Sequence, residues 1–210
     1  MKRVSLLAVL VLTLVVTTLA SAQSTTLPGS GWWSGQQVQN VGTANATIEI
    51  VAYEKDNPSN TYSDSQSVAQ GDAYTFTPFT GLTNLPDGFM GSAVVSADQP
   101  IKAIVNVTNL KAGSVGVDGG TAAAQYQGID GSAVGTTVYF PLAKGDYYGA
   151  TTTYYVQNAG SAAATVTADF TMRTGATYQY TTPSLEPNQM AVFSIYDDAT
   201  YSAPGGTDDD

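Results

Sequence analysis

Hydrophobic and polar residues alternate with a period of two along much of the chain beyond its first thirty residues. Ile48, Ile50 and Ala52 alternate with Thr47, Glu49 and Val51, and Val166, Ala168 and Phe170 alternate with Thr165, Thr167 and Asp169. Ile101, Ala103, Val105 and Val107 alternate with Lys102, Ile104 and Asn106. Tyr74 and Phe76 flank Thr75, and Ala191, Phe193 and Ile195 repeat that stripe. Successive side chains of a strand point to opposite faces, so each stripe predicts a half-buried β-strand. The punctuation suits tight turns: Asn40-Val41-Gly42, Gln70-Gly71-Asp72, Pro86-Asp87-Gly88, Ala97-Asp98-Gln99-Pro100 and Pro187-Asn188. Gly and Asn tolerate positive φ, and Pro presets the entry to a turn. No helical stripe is sustained after the N-terminal segment, so the predicted fold class is all-β.

The strand pattern occurs twice. Val38-Gln39-Asn40-Val41-Gly42-Thr43-Ala44 recurs as Val156-Gln157-Asn158-Ala159-Gly160-Ser161-Ala162. Ala46 to Ile50 matches Ala164 to Ala168, and Val68 to Phe76 matches Leu185 to Phe193, at nearly the same offset. Upstream, Trp32-Trp33 answers Tyr147-Tyr148. The spacing is too long for a solenoid repeat and is that of a sandwich domain of about 100 residues. The expectation is two tandem Ig-like β-sandwich repeats after a signal peptide. The boundaries are 1–22 for the signal peptide, 23–110 for the first repeat, 111–135 for a Gly/Ala/Ser-rich linker and 136–210 for the second repeat. Within the linker, Ala122 to Tyr126 has the makings of a short strand, and Thr136 to Leu142 is the expected first strand of the second repeat.

The second repeat reads as incomplete. After Phe76 the first continues through Gly91–Val95 and Ile101–Val107, which supply two more strands, whereas the stretch after Phe193 has no counterpart of either. A sandwich without its last strands exposes a sheet edge. Three readings stand open: a chain that continues beyond Asp210, a strand donated by another chain, or a smaller sheet closed by the linker.

The N-terminal segment carries an address. Lys2 and Arg3 precede an apolar run from Leu6 to Leu19, and Ala20-Ser21-Ala22 is a small-x-small cleavage signature. This reads as a secretory signal peptide cut after Ala22, and it predicts an extracellular or cell-surface protein with no membrane span once the signal is removed. Composition then narrows the chemistry. The chain has no Cys and no His, so thiolate and imidazole catalysis and their metal sites are excluded. An exported chain without cysteine points to a bacterial source. The net charge of −10 argues against a nucleic-acid partner, which requires clustered Lys and Arg. Only 11% of residues are charged, and Thr, Ser, Ala, Gly, Asn and Gln fill the gap.

The strings Val138-Tyr139-Phe140-Pro141-Leu142, Tyr147-Tyr148-Gly149 and Val156-Gln157-Asn158-Ala159-Gly160 resemble exported tandem-repeat proteins of filamentous and thermophilic bacteria such as the Chloroflexota. So do Leu85-Pro86-Asp87-Gly88-Phe89, Gly91 to Val95 and Gln99-Pro100-Ile101. That resemblance implies Ig-like or CARDB-like β-sandwiches on the cell surface, with an adhesive or scaffolding role and no catalytic residues.

Candidate sites are few. Trp32, Trp33, Tyr147 and Tyr148 are aromatic faces that suit sugar stacking; on a strand, one of each adjacent pair is expected to enter the core. Asp197 and Asp198, with Asp208, Asp209 and Asp210, are candidate calcium ligands, although they lack the spacing of an EF-hand loop, and a solvated acidic face is the alternative. Glu54, Asp56 and Asp64 surround a turn and are candidates for carboxylate pairing, with a polar loop as the alternative. No cofactor other than that calcium is expected. The predicted function is a secreted structural or adhesive β-sandwich protein, not an enzyme. Its partners would be copies of itself or cell-surface proteins and glycans. The alternatives are an extracellular filament subunit completed by donor-strand exchange and a carbohydrate-binding module.

Overall fold

Where the alternation is strongest, the chain is strand. The computed structural model describes residues 31–109, 122–145, 147 and 151–202. The segment read as a signal peptide, Tyr148 and Asp208 to Asp210 lie outside the described residues. The first seven strands are β1 (Trp32–Asn40), β2 (Ala46–Glu54), β3 (Thr61–Val68), β4 (Ala73–Phe76), β5 (Gly91–Ala97), β6 (Ile101–Asn109) and β7 (Ala122–Gln127). They form two antiparallel sheets, ordered β4-β1-β6-β7 and β3-β2-β5. Val38 and Phe76 of one sheet share a core with Ile48, Ile50 and Ala52 of the other, which makes the pair a sandwich. The β4–β5 connection adds Leu82, with Leu85 and Phe89 packed against the same cluster. The alternation Ile48/Glu49/Ile50 puts each isoleucine fully inside and the glutamate outside, as a half-buried antiparallel strand requires.

Four strands follow: β8 (Tyr154–Gln157), β9 (Thr167–Thr171), β10 (Thr177–Thr181) and β11 (Met190–Phe193). They pair as two antiparallel ribbons, β11-β8 and β10-β9. Their core is aromatic: Tyr154, Phe170 and Phe193 are buried with Ile195, and Tyr178, Tyr180 and Tyr201 pack against them. Tyr154 stacks on Phe193 with ring centroids 5.7 Å apart. The two core clusters share no residue. Among the described residues no helix is long and apolar enough to cross a membrane.

The matching sequence strings form matching structure. Gln36–Gln39 of β1 pair with Phe76–Ala73 of β4, and Tyr154–Gln157 of β8 pair with Phe193–Met190 of β11, in the same register. The bridge between Ala46 and Val68 has its counterpart between Ala164 and Leu185. The correspondence then slips. Between Ala164–Leu185 and the Val166–Thr182 pairing, Thr165 stands against the two residues Pro183 and Ser184. Proline has no N–H for the ladder, and a bulge is where a sheet tolerates it. The Thr182 hydroxyl takes up the slack by accepting from the Val166 amide at 3.0 Å.

One expectation holds and one changes. The short strand expected at Ala122–Tyr126 within the segment read as a linker forms as β7, and it extends the first sheet by pairing along β6. Thr136–Leu142, expected as the first strand of the second unit, belongs to no strand. Its apolar side chains are exposed, Tyr139 by 90%. Local alternation predicts an extended backbone, but only a distant partner makes that backbone a strand.

Candidate interaction surface

The position most alike in the two units is an asparagine at a strand end. Asn40 is fully buried. Its Nδ2 donates to Ala44 O at 2.7 Å and to Val68 O at 3.0 Å, and its Oδ1 accepts from Gly42 N at 2.9 Å. Asn158 makes the same bonds: Nδ2 to Ala162 O and Leu185 O, both 2.9 Å, and Oδ1 from Gly160 N at 3.0 Å. The backbones agree too. Asn40 N–H donates to Asp72 O, and Asn40 O accepts from Gly71 N; Asn158 repeats this with Gln189 and Asn188. Gly71 and Asn188 both adopt positive φ, 82° and 65°, in the turn that returns the chain, a conformation Gly and Asn adopt most readily. A side-chain amide has two donors and one acceptor oxygen, and this corner uses all three. In the sequence these asparagines read only as turn residues. The repeated Val-Gln-Asn-x-Gly string was the available signal for their role.

The aromatic candidates separate. By alternation along β1, Trp32 shares the parity of buried Val38, and Trp33 that of exposed Gln37 and Gln39. Both tryptophans are half-buried. Trp33 lies over Gly35, where a Cβ would come within 3.4 Å of its ring. Its edge meets Phe79 with centroids 5.6 Å apart, and Phe79 is 70% exposed. Tyr147 is half-buried, with the Lys144 ammonium 5.6 Å from its ring centroid.

The acidic candidates serve local structure. Asp197 accepts from Ser194 N at 2.7 Å, and Ser194 Oγ accepts from Tyr196 N; together they cap the short 3-10 turn Ile195–Asp197. Asp198 Oδ1 accepts from the hydroxyl and amide of Thr200, both at 2.6 Å, and Oδ2 accepts from Gln179 N at 2.7 Å. Glu54 accepts from Asn60, Asp64 from Gln66, and Asp56 pairs with Lys55. Among the described residues no three acidic side chains come together as a metal site. An open groove of about 390 Å³ over β6 and β7 is lined by Lys102, Ile104, Gln125 and Tyr126 among others, with no acid–base pair.

The Thr200 hydroxyl first, then the amides of Thr200 and Gln179, hold the Asp198 carboxyl below the ordinary aspartate range. A carboxyl depressed in the folded state stabilises it above the unfolded value, near 4, and that contribution is lost as pH falls through the folded value. Thermal melts of the full chain should therefore show the β8–β11 unit losing stability in acid below about pH 4. Asp198→Asn should be less stable at neutral pH and flatter across that window. A variant with the wild-type pH profile would refute this role.

The apolar surface lies before β8. Val134, Val138, Tyr139, Phe140 and Leu142 are all exposed. Phe140 meets Tyr154 edge-on with centroids 4.8 Å apart, and Tyr154 Oη donates to Leu142 O at 3.0 Å. Burial raises the pKa of that hydroxyl, which keeps it a donor. The segment is thus held at its C-terminal end to the β8 side of its own unit. Isolated exposed apolar residues are ordinary, but a contiguous run of large ones marks a contact surface.

Together these features define an all-β protein of antiparallel sheets with an exposed apolar run before β8. Comparison with protein-family models, curated proteins and solved structures finds no match for this chain.

Proposed function

We propose that this chain is an exported structural β-sandwich protein that works by contact with copies of itself and with neighbouring surface molecules, without catalysing a reaction. The observation that carries this reading is the exposed apolar run Val138–Leu142 beside a sheet whose β9 edge has no strand partner among the described residues. Apolar surface and a bare edge on one molecule favour association, because both lose their cost when a second chain covers them. The same pair of features supports the filament form of the reading, in which strand exchange joins subunits. The resemblance to Ig-like surface repeats and the Lys2–Ala22 segment support export. Fractionation of the native cells with sedimentation of the purified full chain tests both parts. The expected result is protein outside the cytoplasm and mass that grows with concentration. Cytoplasmic protein that stays monomeric at high concentration would end the proposal.

A second reading, carbohydrate binding, is favoured by the Trp33–Phe79 patch, where an exposed ring adjoins a half-buried one. A glycan array on which binding survives both Trp33→Ala and Phe79→Ala would dismiss it.

A further inference from the structure

Among the described residues the second unit leaves one sheet edge open, and the same chain carries a segment suited to fill it. In the first unit β2 pairs on one side with β3 and on the other with β5. In the second, β9 stands where β2 stands and β10 where β3 stands, and the place of β5 holds no strand among the described residues. Val166 and Met172 pair their backbone groups toward the β10 side. By the two-residue alternation of a strand, Thr167, Asp169 and Thr171 direct their N–H and C=O groups to the open side. On the opposite edge of this ribbon, Asp198 already occupies the Gln179 N–H. An edge amide capped by a carboxylate is protected against added strands, so the β9 side is the open one.

Thr136–Phe140 has the properties of the missing strand. It is β-branched and aromatic, unpaired and exposed, and Val138 and Phe140 fall on one face with Thr137 and Tyr139 on the other. With Val138 and Phe140 turned to the core beside Ala168, the hydrogen-bonding residues are Thr137 and Tyr139. Pro141 then falls beyond the end of the ladder, where its lack of an N–H costs nothing. The segment is held against Tyr154 on β8, whose ring also meets Phe170 of its own β9 at 5.9 Å, yet it pairs with no strand among the described residues.

We propose that Thr136–Phe140 of one molecule adds as an antiparallel strand to the β9 edge of a second copy, in the position β5 takes beside β2. Each molecule then donates one strand and accepts one, and the heterologous contact propagates head to tail. This deepens the structural reading by naming donor and acceptor.

The chain contains no cysteine, so engineered thiols report the contact without background. Full chain carrying Tyr139→Cys is mixed with full chain carrying Thr167→Cys under mild oxidation. The expected product is a disulfide-linked heterodimer, with Gln37→Cys as an exposed partner that gives none. Val138→Asp and Phe140→Asp should each weaken self-association at least about tenfold, since a carboxylate cannot enter the core face; Val138→Asp should leave the unfolding midpoint near wild type because its side chain is exposed, whereas Phe140→Asp also loses the contact with Tyr154. Cross-linking within a single molecule of the double-cysteine chain, equal cross-linking to Gln37→Cys, or unchanged assembly of both Asp variants would overturn the inference. Wild-type chain that assembles while the cross-link fails leaves the structural reading standing without this contact; wild-type chain that never assembles removes both.

Discussion

Asn40→Ala is expected to lower the stability of the first sandwich by about 3 kcal/mol or more, from the loss of several bonds to buried backbone groups. The side chain is fully buried and joins three segments: the end of β1, the turn at Gly42–Ala44 and the end of β3 at Val68. Alanine removes two donors and one acceptor at once; Val68 O and Gly42 N lose that partner where they are buried, and Ala44 O loses it at a part-buried place. Each such group costs roughly 1–3 kcal/mol when stranded. Asn40→Asp should be nearly as damaging, because a carboxylate can still accept from Gly42 N but cannot donate to Ala44 O and Val68 O. Asn158→Ala should do less harm: its bonds are the same, but the residue is half-buried and water can replace part of what is lost. Denaturant titration of the full chain checks all three. If Asn40→Ala unfolds within about 0.5 kcal/mol of wild type, a margin typical of neutral surface changes, the corner does not hold the strands together.

The asparagine corner also shows what was legible in the sequence. The strand stripes around Ile48, Ile101, Val166 and Phe193 predicted strands because alternation is a local property, written residue by residue. The twofold occurrence was legible from Val38–Ala44 and Val156–Ala162, and the matching hydrogen bonds explain why that string is so alike. Pairing was not legible, because a strand partner is a distant property. Thr136–Leu142 has better strand composition than Ala122–Gln127, yet only the latter found a partner, along β6. The acidic pair Asp197-Asp198 read foremost as solvated charge, with calcium ligation the weaker candidate. Its actual work, capping a turn and an edge amide at Gln179, depends on a fold that brings residues 179 and 198 together. That the exposed run Val138–Leu142 and an edge of β9 without a strand partner among the described residues belong to one unit depends on pairing, which the sequence does not carry.

Phe76→Ala and Phe193→Ala should each cost about 3–5 kcal/mol, the range for deleting a buried phenylalanine, and each loss should stay within its own unit. The two residues sit at equivalent places, opposite Gln36 and Tyr154 in the same ladder register, but their surroundings differ. Phe76 packs among aliphatic side chains, with the Tyr74 ring 4.9 Å away and Gly81 held against it at φ 89°, where a Cβ would come within 2.9 Å of the ring. Phe193 lies between Tyr154 and Tyr180, at 5.7 and 5.4 Å. The first cavity is walled by two sheets and has little room to collapse, so its cost falls toward the upper end. The second is lined by buried Tyr154 and by Tyr180, which is only half-buried and can move partly over the gap. Because the core clusters share no residue, the double variant should lose the sum of the two within about 0.5 kcal/mol. The Ser92 hydroxyl donates to Asn188 O at 2.9 Å between the units, and a neutral hydrogen bond of this kind contributes about 1 kcal/mol, small beside the cost of either core deletion. Calorimetry of the full chain should then resolve two transitions, with Phe76→Ala lowering one and Phe193→Ala the other. A single transition lowered equally by either substitution would mean that the two cores unfold together, and that the repeated corner builds one cooperative body and not two.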